Sequence, residues 1–342
     1  MGIAGNTWNT WERAVTATRS RSFRRPARTL GAVPPSALVL TGIISVQVGA
    51  GLAGRMFGQV TPAVMTGLRL WSSALLVAAL GGRELARSLR GLVRERAWRD
   101  AVVAVGFGVT LGIMNFSIYQ SFARIPLGIA VTIEFLGPLA VAVASSRRLI
   151  DLAWVGLAGV GVALLSNGWA SLAHGGRGGP ADAGLVVSGL AFALVAAACW
   201  AAYILLSAST GRRFRGSSGL VIAMAVAAIV ATPVTVVQGS AGHGSVLRPA
   251  VLATGAAVGL LSSVIPYRLE LEALRRIPAR VFGIWMSLEP AVAALVGLVL
   301  LSEALAAREW AAIACVMVAC AGAARGAAEP DSAPGGAPPP AP

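Results

Sequence analysis

Apolar residues fall into long blocks along this chain, and charged residues are concentrated in the short segments between them. A helix of about 20 apolar residues is long enough to cross the hydrocarbon core of a bilayer. The pattern therefore predicts an all-α polytopic membrane protein with ten transmembrane helices. These predicted helices, numbered here as spans one to ten, cover residues 35–54, 61–80, 101–122, 127–146, 151–169, 184–206, 217–238, 249–274, 279–301 and 305–324.

Composition supports a membrane protein and argues against a soluble domain. Of the 342 residues, 56% are hydrophobic and only 12% are charged, and the mean hydropathy is +0.75. Soluble domains have about 25% charged residues. All 28 basic residues are arginine, and with the abundant Ala, Gly and Val this is typical of a GC-rich genome. We therefore expect a bacterial source.

The arginines predict the orientation of the chain. The net charge of +14 could indicate a nucleic-acid partner, but the arginines lie in segments between apolar blocks, where they set membrane topology. With the N-terminus inside, 21 arginines lie in cytoplasmic segments and five on the opposite face, called here the predicted outer face. We therefore expect a bacterial inner-membrane protein with both termini in the cytoplasm, and no nucleic-acid partner. The five outer arginines are Arg55, Arg124, Arg177, Arg248 and Arg308.

The segments outside the spans complete the predicted organisation. The N-terminal segment is rich in arginine but has no apolar core before a cleavage site, so it is not a signal peptide. The C-terminal segment is rich in proline and alanine and is expected to be disordered. The predicted organisation is a basic cytoplasmic arm (1–34), a first five-helix repeat (35–169), a periplasmic-side linker (170–183), a second five-helix repeat (184–325) and a cytoplasmic tail (326–342).

Two stretches of the chain resemble each other at an offset of 152 residues. The tripeptide Arg-Ile-Pro occurs at 124–126 and again at 276–278, and Pro138 matches Pro290 at the same offset. The stretches fall in spans four and nine, which hold the same place in two sets of five. A repeat with an odd number of spans must insert upside down the second time. The sequence therefore predicts inverted repeats, an architecture of transporters that bind substrate near the midplane.

Each of these two prolines lies close to an acidic residue. Pro138 has no N–H to bond the carbonyl of Glu134, and Pro290 likewise frees the carbonyl of Met286. Free carbonyls and acids are costly in hydrocarbon unless they face a polar cavity. Glu134 and Glu289 are therefore predicted to bind substrate or protons in one central cavity. The alternative is that the prolines only kink their helices and the acids serve packing.

Arg69 lies in the middle of span two, too far from either end to reach water easily. One interpretation is a clamp for a substrate carboxylate. The other is a structural ion pair with Glu134 or Glu289, and the sequence leaves both open.

Other polar residues within the spans are candidates for the cavity wall. Glu270 is a candidate for its entrance, and Pro266 is a third helix breaker. The i,i+4 spacing of Glu272 with Arg268 and Arg276 predicts a salt-bridge ladder. The further wall candidates are Gln47, Asn115, Tyr119, Trp200, Tyr203, Ser263 and Tyr267.

Three motifs resemble a known family. "ALRRIPARVFGIWMSLEPAVAALVGLVLLSE" from residue 273, with ten spans in two halves, resembles the EamA branch of the drug/metabolite transporter superfamily. "IEFLGPLAVAVASSRR" from Ile133 and "SSVIPYRLELEALRRIPARVFGIWMSLEPA" from Ser262 look like its threonine/homoserine exporter group. The resemblance covers about residues 35–324. It implies export of amino acids or related small metabolites by proton antiport.

Several other functions remain as alternatives. The same fold could export drugs or transport vitamins, purines or sugars, and a non-transporting membrane scaffold is less favoured because it needs no buried acids. An intramembrane enzyme is disfavoured because His174 and His243 both fall in predicted outer loops. No cofactor or metal is expected, because the chain has no lysine for a phosphate-binding loop and no metal-ligand spacing. The expected partners are a small molecule, protons and lipid; the sequence makes no prediction of oligomeric state.

Overall fold

Helices account for the regular secondary structure of the residues that the structure describes. The computed structural model describes residues 33–94, 98–146, 149–175, 180–213, 218–241 and 246–326, and no strand occurs within these ranges. The predicted all-α fold is therefore confirmed. The helices are α1 (Pro35–Arg55), α2 (Pro62–Arg94), α3 (Trp98–Phe122), α4 (Leu127–Glu134), α5 (Leu136–Ala144), α6 (Ile150–Gly175), α7 (Pro180–Arg213), α8 (Ser218–Ala241), α9 (Pro249–Gly259), α10 (Ile265–Leu274), α11 (Ala279–Met286), α12 (Glu289–Leu301) and α13 (Ala307–Gly326).

The predicted spans correspond to these helices. Within the described residues, nine helical segments are long and apolar enough to cross a membrane, and the apolar part of span five, Ile150–Leu165, is shorter. The helix of span two continues to Arg94, beyond the predicted end at 80, because 81–94 is rich in Leu and Arg, which favour helix. The predicted arm up to residue 32, the linker residues 176–179 and the tail from residue 327 lie outside the described residues.

Spans four and nine are each broken into two helices at matching positions. α4 and α11 have eight residues each and are related by the offset of 152. Each is followed by a residue with nearly the same backbone angles, Phe135 (φ −64, ψ −13) and Ser287 (φ −64, ψ −10). The missing N–H groups of Pro138 and Pro290 explain why both helices break here. The two stretches are therefore structural repeats as well as sequence repeats.

Span eight departs from the continuous helix expected at 249–274. Between α9 and α10 lies a π-helical turn, Leu260–Val264, in which the N–H of Ile265 donates to the carbonyl of Leu260, five residues back. Pro266 follows directly and cannot donate to the carbonyl of Ser262. Wide turns of this kind occur often at functional sites.

Helix packing follows a pseudo-two-fold relation between spans n and n + 5. Span three packs on spans six and seven, and the related span eight packs on spans one and two. Span four packs on span six, as span nine packs on span one. Spans two and seven, four and nine, and five and ten pack on each other directly. Each of these contacts has its symmetry partner, as expected for inverted repeats.

Spans four and nine are joined tightly at the predicted outer face. A Cβ on Gly128 would lie 2.6 Å from the Cβ of Ala294, so α4 and α12 approach in a way that only glycine permits. Beyond α12, Ser302 has a positive φ of 58°, which turns the chain so that Glu303 reaches α4. Glu303 Oε2 accepts a hydrogen bond of 2.8 Å from the N–H of Leu127. This carboxylate therefore caps the N-terminus of a helix in the other half of the protein.

Candidate functional site

A cavity of about 140 Å³ lies where the broken and wide-turn helices meet. Its wall comes from spans one to four in one half and from spans six, eight and nine in the other. The lining residues therefore come from both halves of the chain. The residues lining it are Val46, Gln47, Ala50, Arg69, Met114, Asn115, Ile118, Tyr119, Phe122, Val131, Glu134, Trp200, Ser262 and Glu289.

Glu289 forms the acidic wall together with an amide. Gln47 Nε2 donates a hydrogen bond of 2.9 Å to Glu289 Oε1, and both side chains are buried. Gln47 Oε1 and Glu289 Oε2 have no hydrogen-bond partner among the described residues. Because buried polar atoms are normally bonded, these two oxygens are available to a ligand's donor groups.

Arg69 forms the basic wall. Its Nη1 donates a hydrogen bond to Asn115 Oδ1, its Nη2 donates to the carbonyl of Ser262 at 3.4 Å, and its guanidinium lies over the ring of Tyr119, 5.4 Å from the ring centroid. Asn115 Nδ2 is held in turn by the carbonyl of Leu111 at 2.8 Å. Among the described residues no ion pair joins Arg69 to either acid. The structure therefore does not contain the ion pair that was one of the two interpretations of Arg69.

Glu134 reaches the cavity from the break in span four. It is the last residue of α4 and lines the same wall as Glu289. Its carboxylate makes no hydrogen bond or ion pair with the described residues. The ring of Phe135, the residue at the break, packs edge-on against Trp200 at 4.8 Å between centroids, which fixes the indole beside Glu134.

Most of the predicted wall residues meet in this cavity, and some do not. Gln47, Arg69, Asn115, Tyr119, Glu134, Trp200 and Glu289 all line it. Tyr203 packs instead on Phe107, with 4.9 Å between ring centroids, and Tyr267 is absent from the lining. Their roles in binding remain predictions.

Ser263 was selected from the sequence, but Ser262 takes the place in the wall. Ser263 is buried against span two, where its hydroxyl is hydrogen-bonded to Ser73 Oγ at 2.9 Å. The π-helical turn changes the register by about one residue and so points Ser262 inward. The sequence did contain a signal for Ser262, because Pro266 stands four residues later and must free its carbonyl.

Glu270 and its neighbours lie outside the cavity lining. A Cβ on Gly42 would lie 3.5 Å from Glu270 Cγ, so Glu270 packs against span one. Glu272 pairs with Arg276, whose Nε donates at 2.9 Å, and with Arg275 at 3.2 Å. The predicted pair with Arg268 is not formed: the i,i+3 neighbour Arg275 takes that place in the ladder.

The cavity has the chemistry to bind a small zwitterion. A guanidinium with an amide beside it suits a carboxylate, and two carboxyl groups suit an ammonium or a proton. The rest of the wall, including Met114, Ile118, Phe122 and Val131, is apolar and limits the size of the side chain that fits.

Comparisons with known proteins find transporters that are similar to this chain. The EamA-like transporter family matches residues 187–325. The threonine/homoserine exporter RhtA of Escherichia coli (strain K12) is 37% identical over 288 residues, covering 84% of this chain and 90% of the exporter. The RhtA of Salmonella typhimurium (strain LT2) is 36% identical with the same coverage.

Structural comparison supports the fold alone. One solved crystal structure matches 86% of this chain and 96% of its own chain with a TM-score of 0.51 and 19% identity. The relatives are named as exporters, so the protein is a membrane transporter and not an enzyme. Because the Escherichia coli exporter is 37% identical over 84% of this chain and the family matches residues 187–325, the chain belongs to the EamA-like transporter family.

Proposed function

We propose that the protein exports small hydroxylated amino acids of the threonine and homoserine type, in exchange for protons, through the cavity between its halves. The observation that supports this most is the presence of Arg69, Glu134 and Glu289 in the wall of one cavity, without an ion pair joining Arg69 to either acid. The relatives are named threonine/homoserine exporters, which supports the amino-acid cargo.

The volume of the cavity suits an amino acid with a short side chain. A closed site of about 150 Å³ accepts a molecule the size of benzene, and this cavity has about 140 Å³. Threonine and homoserine are of similar bulk. Aromatic amino acids and planar dyes are larger and would require the helices to move apart.

The polar groups match the three ends of such a molecule. The substrate carboxylate binds Arg69 and replaces a hydrogen bond from Arg69 to a neutral acceptor. Hydrogen bonds from arginine to a carboxylate are stronger than those to a neutral oxygen. The ammonium binds Glu134 and Glu289. The side-chain hydroxyl donates to Gln47 Oε1, which has no partner among the described residues.

The two acids also supply the coupling to protons. A carboxyl group that carries a proton cannot hold an ammonium as an ionised group does, so substrate and proton occupy Glu134 and Glu289 in turn. Entry of a proton from outside releases the substrate there, and loss of the proton inside prepares the site for the next molecule. Rocking of one half against the other exposes the cavity to each side alternately.

The test is counterflow in vesicles that contain only the purified protein. Vesicles loaded with threonine should take up labelled threonine, and homoserine outside should compete with the label. An imposed pH gradient should drive threonine against its own gradient while protons move the opposite way.

Two outcomes would contradict the proposal. Transport of an ethidium-like dye without any threonine flux would indicate a drug exporter. Threonine flux that is indifferent to the pH gradient would indicate a facilitator, in which the acids only bind cargo.

A further inference from the structure

Three backbone carbonyls near the wide turn of span eight are bonded by side chains of other spans. The carbonyl of Leu261 accepts from Ser45 Oγ at 2.7 Å. The carbonyl of Gly259 accepts from Ser73 Oγ at 3.3 Å, and that of Ser262 accepts from Arg69 Nη2 at 3.4 Å. A carbonyl freed within a membrane must find such partners, because lipid supplies none.

The carbonyl of Ser262 differs from the other two because Ser262 and its partner Arg69 are both lining residues of the cavity. The π-helical hydrogen bond of Ile265 goes to Leu260, which frees Leu261, and the missing N–H of Pro266 frees Ser262. Ser262 belongs to the cavity wall, and so does Arg69. The freed carbonyl therefore points at the cation that would bind a substrate carboxylate.

Hydrogen bonds fix Arg69 and the wide turn to each other. Ser72 Oγ contacts both the carbonyl of Arg69 and that of Gly255 in span eight, at 3.0 Å each. Ser73 Oγ bonds Ser263 within the turn at 2.9 Å. On the other side, a Cβ on Gly49 would lie 2.2 Å from Ser262 Oγ, so span one presses closely on the turn. These contacts hold the backbone of Arg69 and the wide turn close to each other.

We propose that the Ser262 carbonyl is a place-holding acceptor for Arg69. It accepts from the guanidinium in the substrate-free site, and the guanidinium gives up this bond when the carboxylate of an amino-acid substrate binds to Arg69. This rests on the proposed function of the same cavity. Pro266 is then a positioning residue for Arg69 in the substrate-free site, since it acts through the carbonyl that it frees.

The strengths of the two interactions favour such an exchange. A lone buried arginine needs an acceptor in the substrate-free site, and a carbonyl supplies one without an ion pair. At 3.4 Å this bond is longer than the usual ~2.9–3.0 Å and therefore weak. A carboxylate offers two charged oxygens to the guanidinium and displaces the carbonyl. A ligand without a carboxylate cannot displace it.

The test compares threonine with threoninol, in which a hydroxymethyl group replaces the carboxylate. Binding of each is measured by calorimetry on the purified, detergent-solubilised protein. In Pro266→Ala the new N–H at position 266 competes for the Ser262 carbonyl. Because the carbonyl then competes less with the substrate carboxylate for Arg69, threonine should bind more tightly. We expect its Kd to fall about threefold to tenfold. Tenfold is ~1.4 kcal/mol, which is close to the smallest free energies found for hydrogen bonds to charged groups. The Kd for threoninol should stay within about twofold.

Two further variants keep the test decisive. Pro233→Ala removes an interior proline from α8, at an exposed position away from the cavity, and should change neither Kd. Asn115→Asp places a fixed carboxylate beside Arg69, which competes with the carboxylate of threonine. It should raise the Kd for threonine more than tenfold and leave the Kd for threoninol unchanged.

The outcomes separate this inference from the proposed function. If the unaltered protein binds threonine but Pro266→Ala shifts the Kd of both ligands equally, or of neither, the place-holding role of the Ser262 carbonyl is wrong. If Asn115→Asp weakens the binding of both ligands equally, Arg69 does not hold the carboxylate, and the place-holding role is wrong for that reason. If the unaltered protein binds no threonine, the proposed function itself is wrong.

Discussion

The two cavity acids are held differently, although both line the same wall. Glu289 Oε1 accepts a hydrogen bond from Gln47, whereas Glu134 makes no hydrogen bond with the described residues. Glutamine keeps the size of either side chain but can neither ionise nor exchange a proton. We expect Glu134→Gln and Glu289→Gln each to lower threonine flux at least tenfold, which corresponds to a free-energy loss of ~1.4 kcal/mol or more. Each should also abolish the dependence of the flux on the pH gradient.

Flux in vesicles and thermal unfolding in detergent check this expectation together. Ser145→Ala is a suitable control, because Ser145 Oγ donates to the carbonyl of Val141 one turn earlier at 2.7 Å and Ser145 does not line the cavity. Unaltered flux from a folded double glutamine variant would return both acids to a packing role.

Individual polar residues could be predicted from the sequence because they interrupt apolar blocks. Gln47, Asn115 and Arg69 were found in this way, and all three line the cavity. The partners of Arg69 could not be predicted, since one of them is a backbone carbonyl exposed by a change of helical register at Leu260–Val264. Periodicity along a single span contains no information on which facing span supplies the partner.

At the level of elements, the contact between Glu303 and α4 joins the two halves at the predicted outer face. Burial raises the pKa of Glu303, and the N–H of Leu127 opposes this more weakly. The folded protein therefore holds the proton more tightly than the unfolded chain does. The stability that this group contributes is complete below its ordinary value of 4.5 and is lost as pH rises through the raised pKa.

Two substitutions at Glu303 separate capping from charge. Glu303→Gln keeps an acceptor for the N–H of Leu127 and cannot ionise, so its stability relative to the unaltered protein should increase as pH rises through that window. Glu303→Ala loses the cap and should be less stable than Glu303→Gln at every pH, by about 1 kcal/mol, a usual value for a helix cap. Thermal unfolding across a pH series measures both, and equal stability of the two variants would contradict the capping role.

Some of the helix breaks could be predicted from the position of proline in the sequence, and one could not. Pro138 and Pro290 each remove one N–H, so the interruptions of spans four and nine could be predicted to within a residue or two. The wide turn in span eight was missed because Pro266 accounts for only one of the freed carbonyls. The other freed carbonyl, that of Leu261, depends on its contact with Ser45 in span one.

For the whole molecule, the arginine distribution makes a prediction about topology. Both termini should be cytoplasmic and the segment between spans five and six should lie outside. Reporter fusions after Gly175 and after Arg325 should therefore report opposite sides of the membrane. A fusion after Arg94, on the predicted inner side, serves as the control. The same side for Gly175 and Arg325 would contradict the ten-span inverted arrangement.

Packing between the spans tells more than the repeat in the sequence does. The offset of 152 pairs span four with span nine but does not show that their predicted outer parts, α4 and α12, pack on each other. Their inner parts pack elsewhere: α5 lies on spans five, six and ten, and α11 lies on spans one and ten. The two spans therefore meet toward the predicted outer face and diverge toward the inner face, which is the shape expected of a transporter closed on the outside.

Alternating access requires the outer contact between α4 and α12 to open, and a disulfide can test this. A Cβ on Gly297 would lie 3.4 Å from Leu127 Cβ, close to the ~3.5–4.5 Å found in disulfides. In a background with Cys199, Cys315 and Cys320 replaced by alanine, Leu127→Cys with Gly297→Cys should lose threonine flux on oxidation and regain it on reduction. Each single variant, treated identically, controls for the displaced Glu303 carboxylate and the lost Leu127 side chain. Full flux from completely crosslinked protein would show that these helices stay together during transport, and that the cavity must open to the outside by another route.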